Sequence, residues 1–402
     1  MKEAIIFDSV RTPRGKGKPG GGLSTIRPVE LASIPIKALV ERNSLATKNI
    51  EDVILGCVTA VGDQGANIAK SAAMESRLDE SVSGFTVNRF CGSGLEAINL
   101  AFAKILSGQE NLIIAGGIES MSHVPISSDG GALAADPRLA THIGFVPQGI
   151  SADIIATLKN YSRHDVDNFA LKSQQKAVRA WEENRFAKSI IPVHDLNGDM
   201  VLEKDEHIRH DTTLESLGQL KPSFEKIGLD YGFDSVALQN YPTLENIHHV
   251  HTPGNSSGIV DGASALLIGD KIYGQSLGLK PRAKIKSCAV IATEPTIMLI
   301  GPGPASKKAL KRAGMTTKDI DLYEVNEAFA SVVLNYIDEL KINPDLVNVN
   351  GGAIAMGHPL GASGAMILGT LLDELERQKK STGLATLCIG GGMGIATIIE
   401  LI

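Results

Sequence analysis

The sequence predicts an α/β protein built from two similar halves with a third domain inserted between them. Short apolar runs alternate with helix-period runs near both ends of the chain, and these two regions echo each other at one fixed offset. The stretch between them is more polar and holds most of the 10 histidines. Runs that are apolar on both faces suit strands of mainly parallel sheets covered by helices, whereas a half-solvated strand would alternate.

The chain opens with Met1-Lys2-Glu3-Ala4-Ile5-Ile6-Phe7, which reads as a first strand over Glu3–Ser9 and lacks the long apolar region of a signal peptide. Gly15-Lys16-Gly17-Lys18-Pro19-Gly20-Gly21-Gly22 follows. It has the composition of a phosphate loop without the Walker spacing or final Lys-Ser/Thr, so a mobile surface loop is expected. Asp52–Gly56 and Asn111–Ala115 are further strands, while Phe85-Thr86-Val87 is β-like and Leu95 to Leu106 helical. Thr47-Lys48-Asn49-Ile50-Glu51 matches Thr317-Lys318-Asp319-Ile320-Asp321, and Ser93-Gly94 matches Ser363-Gly364, both at an offset of 270. One offset for two separate matches points to a duplicated unit.

The halves are thus placed at 1–119 and 273–402. Residues 252–272, which include Pro253-Gly254-Asn255-Ser256-Ser257-Gly258, return the chain to the first half. Residues 120–251 form the insertion, with an amphipathic helix over Asp165–Asn184 in which Trp181 serves packing. Insertions of this kind commonly carry recognition.

At 402 residues two or three domains are expected. A net charge of -6 with dispersed basic residues argues against nucleic acid, and no apolar stretch approaches a membrane span. Cys57, Cys91, Cys288 and Cys388 lie far apart without metal-ligand spacing, which suits free thiols in a reducing, cytoplasmic setting.

Cys91 stands in Asn88-Arg89-Phe90-Cys91-Gly92-Ser93-Gly94, between the β-like run and the helix. A thiol at a helix N-terminus meets unpaired N–H groups and the positive end of the macrodipole, which favour thiolate. The bland alternative is a buried structural cysteine. His358 in Gly357-His358-Pro359-Leu360-Gly361 belongs to the second copy, and a pseudo-twofold would bring it to the first as a base. Cys388, one residue ahead of Gly390-Gly391-Gly392, is read equally as a proton shuttle or a silent core thiol. Asn326, after the strand-like Leu322–Val325, suits an N-cap and equally an amide facing an anion hole, two roles that are compatible. His248-His249-x-His251 is a weak metal signal, because no helix or turn spacing fixes a coordination geometry there.

Together, Asn-x-x-Cys91-Gly-Ser-Gly, Asn326-Glu-Ala-Phe, Gly357-His-Pro-Leu-Gly and Cys388-Ile-Gly-Gly-Gly resemble the thiolases, the acyl-CoA C-acyltransferases. The resemblance spans essentially the whole chain, from Arg11-Thr12-Pro13 onward. It implies a thiolase-like five-layered αβαβα fold with a loop domain over the active site, and a homodimer or homotetramer. It also implies acyl-CoA and coenzyme A as substrates, with no permanently bound cofactor and no metal. By that resemblance Cys91 takes the acyl group, His358 activates it, and Cys388 moves the proton of the second substrate. Asn326 holds a water in one oxyanion hole, and the N–H groups of Cys91 and Gly390 form the other. Arg209, Ser216 and Leu220 match adenine-contact positions and Ser257 a pantetheine contact. A hydratase–dehydrogenase partner in β-oxidation has no local feature behind it.

Three positions depart from the family pattern. Thiolases of the biosynthetic type carry His-Met-Gly where this chain has Pro147-Gln148-Gly149. Val260 replaces a common asparagine, and Ala152-Asp153-Ile154 stands for Ala-Glu-Asn. Two other readings are a ketoacyl synthase-type condensing enzyme, in which a partner like Cys388 is not expected, and a non-catalytic CoA-binding scaffold, which should have lost one of Cys91, His358 and Cys388.

Overall fold

The computed structural model describes residues 2–402. In chain order the first half runs β1 (Ala4–Arg11), α1 (Pro28–Arg42), β2 (Asp52–Gly56), α2 (Ile68–Glu75), β3 (Ser83–Val87), α3 (Ser93–Ser107) and β4 (Leu112–Glu119). An excursion then carries α4 (Gln148–Lys159) and α5 (Arg163–Glu182) among shorter helices, before β5 (Val260–Asp270) returns to the first sheet. The second half runs β6 (Ala283–Ala292), α6 (Pro302–Ala313), β7 (Leu322–Val325), α7 (Ala330–Leu340), α8 (Leu360–Gln378), β8 (Thr382–Ile389) and β9 (Met393–Leu401).

The repeat seen in the sequence is a repeat of topology. Strand order is β3-β2-β4-β5-β1 in the first half and β7-β8-β9-β6 in the second. The pairs β2·β4 and β7·β8 are parallel, and the next two pairs in each half are antiparallel. The starts of β2 and β7, and of β4 and β8, are each 270 residues apart. The equivalent strands β1 and β6 meet antiparallel at Ile5–Lys284 and Ile6–Ala283, joining the two sheets as a pseudo-twofold would.

Strand periodicity then dictates the layers, because successive side chains point to opposite faces. On β2, Val53 and Leu55 pack with α1 and α2, whereas Ile54 packs with α3 and α8. On β8, Leu384 packs with α6 and α7, whereas Ala385 and Leu387 face α3 and α8. The result is α1/α2, sheet, α3/α8, sheet, α6/α7, the five layers expected from the resemblance. Leu368, Leu371, Leu372 and Leu375 on α8 are buried, each contributing about 1.5–3 kcal/mol by leaving water. The central helices approach closely at the matched Ser-Gly pairs. A Cβ on Gly94 would lie 2.6 Å from the Gly361 carbonyl oxygen, and one on Gly364 2.4 Å from the Leu95 nitrogen.

In the insertion, α5 starts at a Ser162/Asp165 capping box. Trp181 packs on Phe186 with ring centroids 5.4 Å apart. The histidine cluster is an ion-pair clamp. The Asp153 carboxylate on α4 accepts from His249 Nδ1 at 2.8 Å and His251 Nδ1 at 2.7 Å, and His249 Nε2 donates to Asp234 at 3.0 Å. A ring donating at both nitrogens is a cation, and these two carboxylates raise His249 to about 9 against its burial.

The glycine-rich segment near the N-terminus is no mobile loop. Gly15 and Lys16 pair with Asp261 and Val260. The Glu206 carboxylate accepts from the N–H groups of Lys16 at 2.7 Å and Gly22 at 2.9 Å. Composition pointed to a loose loop because its anchor, Glu206, lies in the distant insertion.

Candidate active site

The corner that carries Cys91 is held by its motif neighbours. Asn88 donates its amide to the Val58 carbonyl at 2.9 Å and accepts from the Phe90 N–H at 2.9 Å. The Ser93 hydroxyl donates to the Phe90 carbonyl at 2.6 Å and accepts from the Arg89 N–H at 2.8 Å. Between these ties Phe90 is forced to φ +45°, a left-handed conformation costing a bulky residue about 1–3 kcal/mol. A Cβ on Gly92 would lie 2.5 Å from the Ile389 side chain, so glycine there lets the corner reach the second half.

Cys91 is buried just ahead of α3, with its own N–H, that of Gly390 and the Gln148 amide favouring a thiolate. A helix terminus acting alone would let that thiolate prevail. Burial outweighs these donors and pushes the thiol up to about 11, with the Glu119 carboxylate adding to the rise.

His358 sits at the N-terminal approach to α8. Its Nδ1 is 2.5 Å from the Ser363 hydroxyl, and that hydroxyl donates to the Pro359 carbonyl at 2.9 Å. The hydroxyl's single proton is thereby used, so Nδ1 is the protonated nitrogen and Nε2 carries the lone pair. Asn326 Nδ2 donates to Nε2 at 3.3 Å. Burial, then the Arg14 guanidinium, push the imidazole down to about 3, so it is neutral at pH 7.

Asn326 does not cap a helix. Its N–H continues the ladder to the Thr386 carbonyl at 3.0 Å, and α7 begins only at Ala330 with Phe329 at the cap. Its amide oxygen is buried without a partner in the protein. Cys388, in β8 opposite Gly394, is buried; desolvation and then the neighbouring Cys91 raise its thiol above the ordinary range. Gly390 to Gly392 turn β8 into β9, and Gly391 and Gly392 both take φ +78°, where a side chain would be strained.

Cys91, His358 and Cys388 meet in one cavity of about 100 Å³, lined also by Gln148, Ser257 and Phe329 among others; Asn326 and Gly390 are not in its wall, but Asn326 lies against His358 and the Gly390 N–H acts on Cys91. A second cavity of about 330 Å³ is lined by Lys16, Gly17, Lys18, His207, Arg209 and Ile259, and Ile259 lines both. Ser257 therefore reaches the inner cavity and Arg209 the outer one. Ser216 and Leu220 line neither: Ser216 forms a capping box with Thr213, and the Leu220 side chain packs against Gly254. Among the described residues no group of three or more His, Cys, Asp or Glu is arranged to hold a metal ion. No helix among them is long and apolar enough to cross a membrane.

Sequence reasoning missed Glu119 and Gln148. Glu119 is fully buried at the end of β4. It accepts from the N–H groups of Val58, Thr59 and Gly361 at 2.9, 3.1 and 2.9 Å and from the Gln64 amide at 3.0 Å, tying the Cys91 half to the His358 loop. A carboxylate closing an otherwise apolar strand was the available signal.

Residues 4–230 match the family described as thiolase, N-terminal domain, and residues 279–401 match thiolase, C-terminal domain. The chain belongs to the thiolase family. It is 40% identical over 409 residues to a 3-ketoacyl-CoA thiolase of Klebsiella pneumoniae, covering 100% of both chains. It is also 40% identical to the 3-oxoadipyl-CoA/3-oxo-5,6-dehydrosuberyl-CoA thiolase of Escherichia coli, again over 100% of both. The Bacillus anthracis acetyl-CoA acetyltransferase superposes with a TM-score of 0.87 at 33% identity, covering 100% of this chain and 99% of that one. As a thiolase-family protein the chain is an acyltransferase.

Proposed function

We propose that this thiolase cleaves 3-ketoacyl-CoA with coenzyme A to acetyl-CoA and a shortened acyl-CoA, or runs the reverse Claisen condensation, through an acyl-enzyme on Cys91. The observation that carries this is the meeting of Cys91, His358 and Cys388 in one cavity beside the Gly390 N–H. His358 Nε2 takes the Cys91 proton, and the thiolate attacks the 3-keto carbon. The alkoxide that forms faces the N–H groups of Cys91 and Gly390. The C2–C3 bond then breaks, leaving a thioester on Cys91 and an acetyl-CoA enolate. Asn326, beside His358, holds the water that steadies the enolate oxygen. Cys388 protonates C2 and is reset by the thiol of the incoming coenzyme A. That coenzyme A attacks the thioester, and Cys91 departs to recover its proton from His358. Separating nucleophile from acid/base lets one site meet two oxyanions at different moments.

The coenzyme A contacts are proposed at Arg209, Ser216, Leu220 and Ser257, and Arg209 in the basic outer cavity supports the phosphate end. We assign residues 1–119 plus 252–272 and 273–402 to the two catalytic halves and 120–251 to the loop domain. The protein is proposed to act in the cytoplasm as a homo-oligomer. Cys388 in the cavity supports cleavage over a ketoacyl synthase chemistry, which does not call for it.

The test is coenzyme A-dependent cleavage of acetoacetyl-CoA and of a longer 3-ketoacyl-CoA by the wild type, Cys91→Ala and Cys388→Ala. Cleavage lost in Cys91→Ala supports the acyl-enzyme, and the rate ratio assigns chain length. A wild type that binds coenzyme A yet cleaves neither substrate would overturn the proposal.

A further inference from the structure

Gln148 is the first residue of α4 and lines the cavity of Cys91, His358 and Cys388. Much of the remaining wall is apolar, including Met121, Ile126, Leu299, Ala328 and Phe329. An amide set among such groups needs a reason. Its Nε2 lies 3.2 Å from where a Cβ on Gly390 would be, so the amide sits against the Gly390 backbone. It joins the N–H groups of Cys91 and Gly390 in favouring negative charge on the Cys91 sulfur.

The root of this side chain is fixed. Asp153 clamps α4 through His249 and His251, and the Ser151 hydroxyl donates to the Thr296 carbonyl at 2.7 Å. The Ser331 hydroxyl donates to the Ala152 carbonyl at 3.0 Å. A donor held this way costs little reorganisation when charge develops beside it.

We infer that the Gln148 side-chain amide is a third donor of the oxyanion hole formed by the Cys91 and Gly390 N–H groups. The inference rests on the acyl-enzyme reading above. Gln148 then belongs to the proposed catalytic machinery, since an amide against the Gly390 backbone in the cavity of Cys91 is placed to donate where the acyl oxygen would lie. In the thiolysis cycle it works twice, on the alkoxide formed at C3 and on the one formed when coenzyme A attacks the thioester.

The experiment compares wild type with Gln148→Leu, Gln148→Glu and Gln148→Asn. Steady-state thiolysis is measured beside the pH dependence of Cys91 alkylation by iodoacetamide. Expected are a roughly 100-fold fall in kcat for Gln148→Leu with the coenzyme A KM within about twofold, the loss typical of one oxyanion donor. The alkylation profile should move to higher pH in Gln148→Leu and further in the isosteric Gln148→Glu, with partial recovery of both readouts in Gln148→Asn. A raised KM with kcat and alkylation profile unchanged would make Gln148 a pantetheine contact and overturn the inference. Alkylation needs no acyl-CoA. A wild type inactive on every 3-ketoacyl-CoA therefore sinks the proposed function, and an alkylation profile indifferent to Gln148→Leu sinks this inference separately.

Discussion

The two halves share strand order, strand sense and spacing, yet they place different chemistry at equivalent points. The corner before α3 presents Cys91, and the approach to α8 presents His358. At the ends of the equivalent strands, β4 closes on the buried acceptor Glu119, while β8 closes on Cys388-Ile389 ahead of the glycine turn. In the proposed mechanism the first half supplies the nucleophile and a structural carboxylate, and the second supplies the groups that move protons, so neither would hold a working set alone. The Glu119 bond to the Gly361 N–H shows how the halves are kept in register, since it crosses from one strand end to the other half's histidine loop.

The sharpest way to break this comparison is to remove the base proposed for the second half. His358→Ala should lower thiolysis by roughly 1000-fold, within the range for losing a positioned general base, while the fold holds. Asn326→Ala should cost roughly 100-fold in kcat. Circular dichroism beside the activity assay separates these losses from unfolding. If both variants kept wild-type rates, the division of labour between the halves would be wrong.

Glu119→Ala attacks the register instead of the chemistry. It leaves three backbone N–H groups without their acceptor in the core and takes from the Gln64 amide one of its two acceptors, the Thr59 carbonyl remaining. Orphaned buried donors each cost about 1–3 kcal/mol, so a loss of about 3–5 kcal/mol in urea unfolding is expected after local relaxation. The matching substitution Ile118→Val, on the same strand, should cost only about 0.5–1.5 kcal/mol.

Much of this was legible in the sequence because it is periodic or local. The offset of 270 fixed the equivalence of the halves, and apolar runs located β2, β4 and β7 to within a few residues. Cys91 and His358 stood out by their glycine corners. What escaped depends on partners remote in the chain. Asn326 looked like an N-cap because asparagine favours that role, but its strand continues through a bond to Thr386. The Cys91 thiolate was argued from one helix end, and the surrounding burial reverses that balance. Gln148 carried no signal beyond a departure from a family triplet; its meaning comes from Gly390, remote in the chain but in contact with its amide.

A smaller effect tests why the halves meet where they do. Gly94 and Gly364 occupy matched positions, and a Cβ on either would collide with backbone of the partner helix. Gly94→Ala and Gly364→Ala should each destabilise by about 1–3 kcal/mol, the usual cost of overpacking. Gly314, at the left-handed C-cap of α6 with nothing near it, provides the contrast. There alanine meets no neighbour and the penalty should come from its backbone alone, about 1 kcal/mol.

The insertion has no counterpart in the second half, so its own contacts must hold it together, and the His249 clamp, whose residues all lie within it, is one of these. His249 is raised to about 9 by Asp153 and Asp234, while Asp153 is held below its ordinary value by the two histidines against its own burial. The raised histidine contributes stability that is complete below its unfolded pKa of about 6.5 and lost as pH rises through about 9. The lowered aspartate contributes stability present above its unfolded pKa of about 3.9, and loses it as pH falls through the lower folded value. The clamp is therefore strongest near pH 6. Melting curves of wild type and His249→Gln should differ by a few degrees near pH 6 and converge by about pH 10. A gap that persists unchanged to pH 10 would mean that the ring matters by its packing, and that this part of the insertion is held together by shape and not by charge.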